Sequence, residues 1–349
     1  MDNLFDYINE TEKFNKFPGT RYMGSKNKLI PNILRILEGY EFNSFYDAFA
    51  GSNVVSYLFK TVGKKVITND FLTFSYLISK ALIENSSENV SNSELEFLLN
   101  HKNDQNFITN KFKGLYFSDE DNMFLDRVRF NIDLLDSEYK KAIALSALAR
   151  SCMKKRARGI FTFTGERYDD GRKDMRLSLK EHFVLNVKLF NDAVFSGDAE
   201  CYSHNKSAQD LRVETDLIYL DPPYYTPNSD NDYVRRYHFV EGLVRNWKGV
   251  EIQENTTTKK FKSYHSPFAT KKETYLAFEN LIETYRDSII AISYSSNSLP
   301  SKEELIEMLQ KHKKDVVVHE IDYLYSFGNQ NHKIGNNANK VKEYLFVAQ

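Results

Sequence analysis

The stretch Asp216-Leu217-Ile218-Tyr219-Leu220-Asp221-Pro222-Pro223-Tyr224-Tyr225 restricts what this chain can fold into more than any other. Leu217 to Leu220 form a largely apolar run too short for a helix, which predicts a buried strand. Two consecutive prolines end it, because neither can donate to a sheet ladder. A stiff loop then carries Asp221 and Tyr224 past the strand's carboxyl end. In open α/β sheets that edge is where ligands bind.

Three further segments fit the same sheet. Ser44 to Phe59 reads as a strand, a turn of small residues (Ala48 to Asn53) and an amphipathic helix. Small residues let the backbone approach a ligand, and the helix start offers free amides. Lys64 to Asp70 is a second short strand ending in an acid. Asp70 follows Asp47 by about the 20 residues at which Rossmann-like folds place a carboxylate on ribose hydroxyls. The first turn lacks Gly-x-Gly-x-x-Gly, which counts against a nicotinamide dinucleotide. Ala193 to Ala199 predicts a third strand, ending at Asp198. Near the start, Gly24-Ser25-Lys26 lacks the full spacing of a phosphate loop, so nucleoside triphosphate binding of that kind is rejected.

From residue 76 to about 190 the strand–helix rhythm stops. Residues 76–105, 118–134 and 137–153 read as helices, the last with Ala142, Leu145, Ala149 and Cys152 on one face. Between Arg150 and Arg176 there are nine Lys or Arg against four Asp or Glu. The whole chain carries a net charge of −1, so any nucleic-acid surface has to be a local patch such as this one. Its glycines and aromatics predict an irregular, hairpin-like loop. Residues 225–267 show no clear periodicity. Beyond them, helices are expected at 271–286 and 302–311 and strands at 288–294, 315–321 and 342–347.

Asp221-Pro222-Pro223-Tyr224 after an apolar strand resembles motif IV of the amino-methyltransferases, which move a methyl group from S-adenosylmethionine (AdoMet) to an exocyclic nitrogen. Arg21-Tyr22-Met23-Gly24-Ser25-Lys26 resembles motif X. Asp47-Ala48-Phe49-Ala50-Gly51-Ser52-Asn53 resembles motif I, with Asn53 where the family has a final Gly. Asn visits left-handed geometry more readily than most residues, so the turn can survive. Ser196-Gly197-Asp198 resembles motif III. In this order the motifs are similar to those of the Dam-like DNA adenine-N6 methyltransferases of the alpha arrangement, the restriction–modification type, over residues 21 to 349.

The resemblance implies a Rossmann-like α/β fold with a seven-stranded, mostly parallel sheet whose last strand is antiparallel. The AdoMet-binding catalytic domain would comprise 1–75 and 190–349, with an inserted, mainly helical target-recognition domain at 76–189. It implies AdoMet at Tyr22, Met23, Gly24, Lys26, Asp47, Phe49, Gly51, Ser52, Asp70, Asp198 and Asp221. Asp221, Pro222 and Tyr224 would hold the target adenine, with no metal and no covalent intermediate. The chemistry suits these residues. A base amino group is a poor nucleophile because its lone pair is delocalised into the ring; a carboxylate and a backbone carbonyl accepting its two hydrogens localise that pair. Tyr224 offers a face on which an extruded base can stack. Lys154, Lys155, Arg156, Arg158, Arg172 and Arg176 are the expected contacts to double-stranded DNA.

The same chemistry on RNA or on a cytosine amino group stays open, although Asp rather than Ser at the first position of motif IV favours adenine. A catalytically silent DNA-binding regulator is the reading of another class, and the intact Asp221-Pro222-Pro223-Tyr224 argues against it. Cys152 and Cys201 have no metal-ligand spacing, and Met1 to Phe17 lacks the layout of a signal peptide. A monomer in the cytoplasm, with any cognate restriction endonuclease acting separately, is the expectation.

Overall fold

A computed structural model describes residues 12–165, 173–227, 231–324 and 340–349. Strands β1 (Ser44–Asp47), β2 (Lys65–Asn69), β3 (Tyr202–His204), β4 (Leu217–Leu220), β5 (Ile289–Ser295), β6 (Val316–Leu324) and β7 (Lys340–Ala348) form one sheet in the order β3-β2-β1-β4-β5-β7-β6. The first five run parallel, and β7 is antiparallel to both β5 and β6. Chain order reverses at β1, with β2 and β3 on one side and β4 and β5 on the other. Such a switch point leaves a crevice at the strands' carboxyl ends.

The strands are short and apolar because both faces are covered. Phe45, Leu217, Tyr219 and Val347 enter one core, while Tyr46, Ile218, Leu220 and Phe346 enter the other. The first face is covered by α1 (Ile30–Leu37), α2 (Val54–Thr61), α3 (Thr73–Ser79, continued by a π turn to Glu84), α4 (Asn92–Asn100), α5 (Phe107–Lys111), α6 (Asp119–Asp133), α7 (Glu138–Lys155), α8 (Leu179–Ala193) and α9 (Tyr233–Arg245). The second is covered by α10 (Lys271–Thr284) and α11 (Lys302–Gln310). The helices between 73 and 193 thus bury their apolar sides in the same cluster as the sheet. Among the described residues, no helix is long and apolar enough to cross a membrane.

Two expectations need correction. The third strand is Tyr202–His204, pairing with Ile67–Asn69, and not the segment ending at Asp198. Val194 is instead the C-cap of α8, and Phe195 packs edge-on against Tyr57 under the Lys60 ammonium. The tract 225–267 contains α9, a full helix. Its pattern was hidden because it is buried from Tyr237 to Val244 without a break, leaving no polar stripe. α8 also went unread, although Ser178 and Glu181 form the capping box that announces it.

The turn between β1 and α2 shows how motif I tolerates its departure. Asn53 caps α2 at φ 65°, in the left-handed region. Its side chain donates to the Ser75 carbonyl at 3.0 Å and accepts from the Ser79 hydroxyl, tying the turn to α3. Asn53→Ala must keep the strained backbone and lose both bonds, which should cost about 2–4 kcal/mol. Asn53→Gly should lose only the bonds and fall between that variant and wild type. Urea unfolding midpoints check this; equal midpoints for the Ala variant and wild type would remove Asn53 as the tie.

Candidate active site

The loops after β1, β2 and β4 converge on a cavity of about 760 Å³, lined by Asp47, Asp70, Asp221, Lys26, Tyr224 and Glu343, among others. Tyr22, Met23, Gly24, Phe49, Gly51, Ser52 and Pro222 also border it. Every residue expected from motifs X, I and IV therefore meets in one place, with Asp70 among them.

The segment Arg21 to Ser25 has no regular structure of its own, runs into a 3₁₀ turn at Lys26–Lys28, and is held by α9. The Tyr22 ring stacks on Tyr233 and Tyr237, with centroids 5.5 and 5.3 Å away. The Met23 amide donates to the Tyr237 hydroxyl at 2.7 Å, and the Tyr233 hydroxyl donates to the Met23 carbonyl at 3.3 Å. Gly51 sits at φ +50°, where a Cβ would come 3.0 Å from the Tyr22 ring. A side chain there would push the segment off the turn. Ser25 and Ser52 close the gap through their hydroxyls, 3.0 Å apart.

Four carboxylates border the space, those of Asp47, Asp70, Asp221 and Glu343. Asp47 accepts from the Ser56 hydroxyl at 2.5 Å and the Phe49 amide at 3.3 Å. Burial pushes its carboxyl up to about 7 against those hydrogen bonds, with Asp221 and Asp70 adding to the rise. Asp70 accepts from the Gly51 and Leu72 amides, each at 2.8 Å. Burial pushes it up to about 7 as well. The same acid therefore shapes the motif I turn. Asp221 is lifted to about 6 by burial, restrained by Lys26 and raised further by Glu343.

Lys26 is buried, and its ammonium lies 2.8 Å from Asp221 Oδ1 and donates to the Gly24 carbonyl at 3.1 Å. It also sits 4.9 Å from the Tyr224 ring centroid. The Tyr224 hydroxyl donates to Glu343 at 2.9 Å, and the Tyr224 ring meets Tyr294 edge-on at 4.8 Å. Sequence reasoning missed Glu343, Tyr233 and Tyr237. The usable signal for Glu343 was a carboxylate set directly before the apolar Tyr344-Leu345-Phe346-Val347 of the closing strand.

Other expected residues lie elsewhere. Asp198 borders a separate cleft with Lys60, Glu84 and Tyr139, next to Gly63. The position after β3 is taken by Asn205, whose amide donates to the Asp70 carbonyl at 2.7 Å. In the basic run, Lys155 pairs with Asp121 at 3.1 Å and donates to the Leu177 carbonyl at 2.8 Å. Arg156 is buried, donates to the Phe163 and Gly165 carbonyls, and lies over the Phe163 ring. These two side chains are held by the fold. Lys154 approaches Asp174 at 3.5 Å, Arg158 and Arg176 are exposed, and Arg172 lies outside the described residues.

Residues 22–308 match the sequence profile of the D12 class N6 adenine-specific DNA methyltransferases. The chain belongs to that family. It is 28% identical to the type II methyltransferase M2.HphI of Haemophilus parahaemolyticus, over 96% of this chain and 98% of that protein. It is 25% identical to M.NlaIII of Neisseria lactamica, over 94% of this chain and 98% of the relative. With M.FokI of Planomicrobium okeanokoites the identity is 27% over 94% of this chain, which spans only 52% of that protein. The family implies AdoMet as methyl donor and DNA as substrate. The cavity of this methyltransferase fits a cationic cofactor. Asp47 and Asp70 are buried with no Lys, Arg or His partner among the described residues, and buried carboxylates want a compensating cation.

The buried acids have a consequence for the ligand-free enzyme. Asp47 binds its proton more tightly folded than unfolded, so its contribution to stability declines as pH rises from about 4 through about 7. Asp47→Asn removes that penalty. The difference in melting temperature, variant minus wild type, should become more positive between pH 5 and pH 8. Calorimetric scans without cofactor test this; a difference independent of pH would show that Asp47 titrates as it does in the unfolded chain.

Proposed function

We propose that this chain methylates adenine N6 in double-stranded DNA on a base extruded from the helix, with Asp221, Pro222 and Tyr224 receiving that base. The observation carrying the reading is the convergence of Asp221 and Tyr224 with the acids after β1 and β2 on a single cavity. AdoMet, when bound, supplies an electrophilic methyl on a sulfonium. Asp47 and Asp70 would hold it with Tyr22, Gly24, Phe49 and Gly51. Asp198 is left out of that set because it borders a different cleft.

The chain's own residues supply alignment. The Asp221 carboxylate and the Pro222 carbonyl accept the two amino hydrogens, and Pro223 offers no competing amide donor. Lys26 keeps Asp221 ionised in a setting that otherwise favours the acid. Tyr224 provides the stacking surface. Positioning of the amino nitrogen against the methyl would carry most of the rate. The segment 76–189 is the proposed recognition region, with Lys154, Arg158 and Arg176 as its phosphate or base contacts.

Asp221→Ala should abolish methyl transfer to plasmid DNA while calorimetry finds AdoMet affinity nearly intact, because the carboxylate serves the base. Loss of AdoMet affinity alone would reassign it to the cofactor. For DNA, Arg158→Ala should flatten the log–log salt dependence of binding by about one unit. Arg156→Ala should leave that slope unchanged and instead lower stability by about 1–3 kcal/mol through unpaired carbonyls. Filter binding over a salt series, paired with unfolding curves, separates the two. The opposite pattern would mean that the buried arginine is the one that meets DNA.

A further inference from the structure

We propose that Glu343 is a positioning residue of the methyl-transfer site, holding the Tyr224 ring where an extruded base stacks on it. The inference rests on the reading of Asp221, Pro222 and Tyr224 given above. Glu343 is 1% exposed, yet it borders the cavity. Its Oε2 accepts from the Tyr224 hydroxyl at 2.9 Å. It lies within β7, one strand in from the edge of the sheet, paired opposite Ser295 of β5 and Ile321 of β6. A mid-strand residue hydrogen-bonded on both sides moves less than one on a loop. The loop bearing Tyr224 is thereby referenced to a strand 119 residues further along the chain.

The geometry explains why a carboxylate is used there. The hydroxyl is the far end of the tyrosine, where a small rotation about Cα–Cβ produces the largest displacement. Tyr294 meets the ring edge-on, and Lys26 lies over it. The bond to Glu343 adds a fixed point at the tip. A carboxylate only accepts, so it cannot turn the tyrosine around to accept from it, and charge-assisted bonds of this kind are strong. Burying that charge in an apolar closing strand is costly. A fold with no use for it would place an apolar residue between Lys342 and Tyr344.

The test uses the full chain. Unmethylated plasmid DNA is the first substrate, with labelled AdoMet; sequencing the methylated positions then defines a short duplex. Glu343→Ala should lower kcat on that duplex on the order of 10–100-fold, as a misplaced stacking surface does, with AdoMet affinity unchanged by calorimetry. Tyr224→Phe, which keeps the ring but loses the donor to Glu343 and to Asp221, should show at least that defect, and the double variant should fall no further than Tyr224→Phe. Glu343→Gln retains an acceptor oxygen and should recover most of the rate. A duplex with 2-aminopurine at the target position should show weaker or more heterogeneous fluorescence change with Glu343→Ala than with wild type. Wild-type kcat in Tyr224→Phe would overturn the proposal even if Glu343→Ala failed to fold. So would additive losses in the double variant, or Glu343→Gln no better than Ala. Absence of methylation by the wild-type chain would instead strike the functional reading beneath it.

Discussion

The contact on which the site depends is the ion pair between Lys26 and Asp221, 2.8 Å apart. It joins a segment near the start of the chain to the loop after β4, two pieces separated by the whole helical face. Neither end belongs to a sheet ladder: the Arg21 to Ser25 segment has no regular structure, and the prolines deny a ladder to the other. Joined, they close the cavity over the switch point. The pair is also electrically useful, because it draws down a carboxyl that burial raises, leaving it at about 6. Near neutral pH that keeps the acid in the form that accepts hydrogens from an amino group.

Such a pair holds only if the backbone beneath Lys26 is fixed, and α9 provides this. Tyr233 and Tyr237, one helical turn apart, both pack on the Tyr22 ring and clasp both polar groups of Met23. α9 is in turn seated by Glu241, buried at its centre, whose two oxygens accept from the Thr73 and Phe74 amides at the start of α3. A buried acid at a helix N-terminus complements the helix dipole. The same helix start follows directly from Asp70, so the cofactor-side acid and the brace on the motif X segment share one anchor. Movement of α3 relative to the sheet would disturb both walls of the cavity together.

This arrangement explains what could be read from the chain. Strands β1, β2 and β4 were legible because each pairs an apolar run with a turn signal, and the acids at their ends followed from the fold. The same signal put Asp221 and Tyr224 past the end of β4, where they border the cavity. Asp198 misled because Gly-Asp after Val194-Phe195 imitates a strand end, while the real strand, Tyr202–His204, has three residues and no apolar run. α9 was illegible because burial around most of its circumference erases periodicity. The basic run was legible as charge but not as surface: Arg156 spends its guanidinium on carbonyls and aromatic faces, a fate set by residues far along the chain or across a loop. Glu343 lies 119 residues from its partner in sequence, and only strand register brings it to Tyr224.

The three acids also set what the enzyme must be before its ligands arrive. Asp47, Asp70 and Asp221 border one cavity, where the charges of Asp221 and Asp70 raise the proton affinity of Asp47, Glu241 raises that of Asp70 and Glu343 that of Asp221. Lys26 compensates one of them. A cationic ligand entering the cavity relieves that repulsion, and its binding energy includes the relief. Binding should therefore be linked to proton release from Asp47 and Asp70 in the range where they titrate, around pH 7. The cofactor half of the cavity would thus be tuned by charge, and the base half by the tyrosine, proline and carboxylate geometry that the strand ends impose.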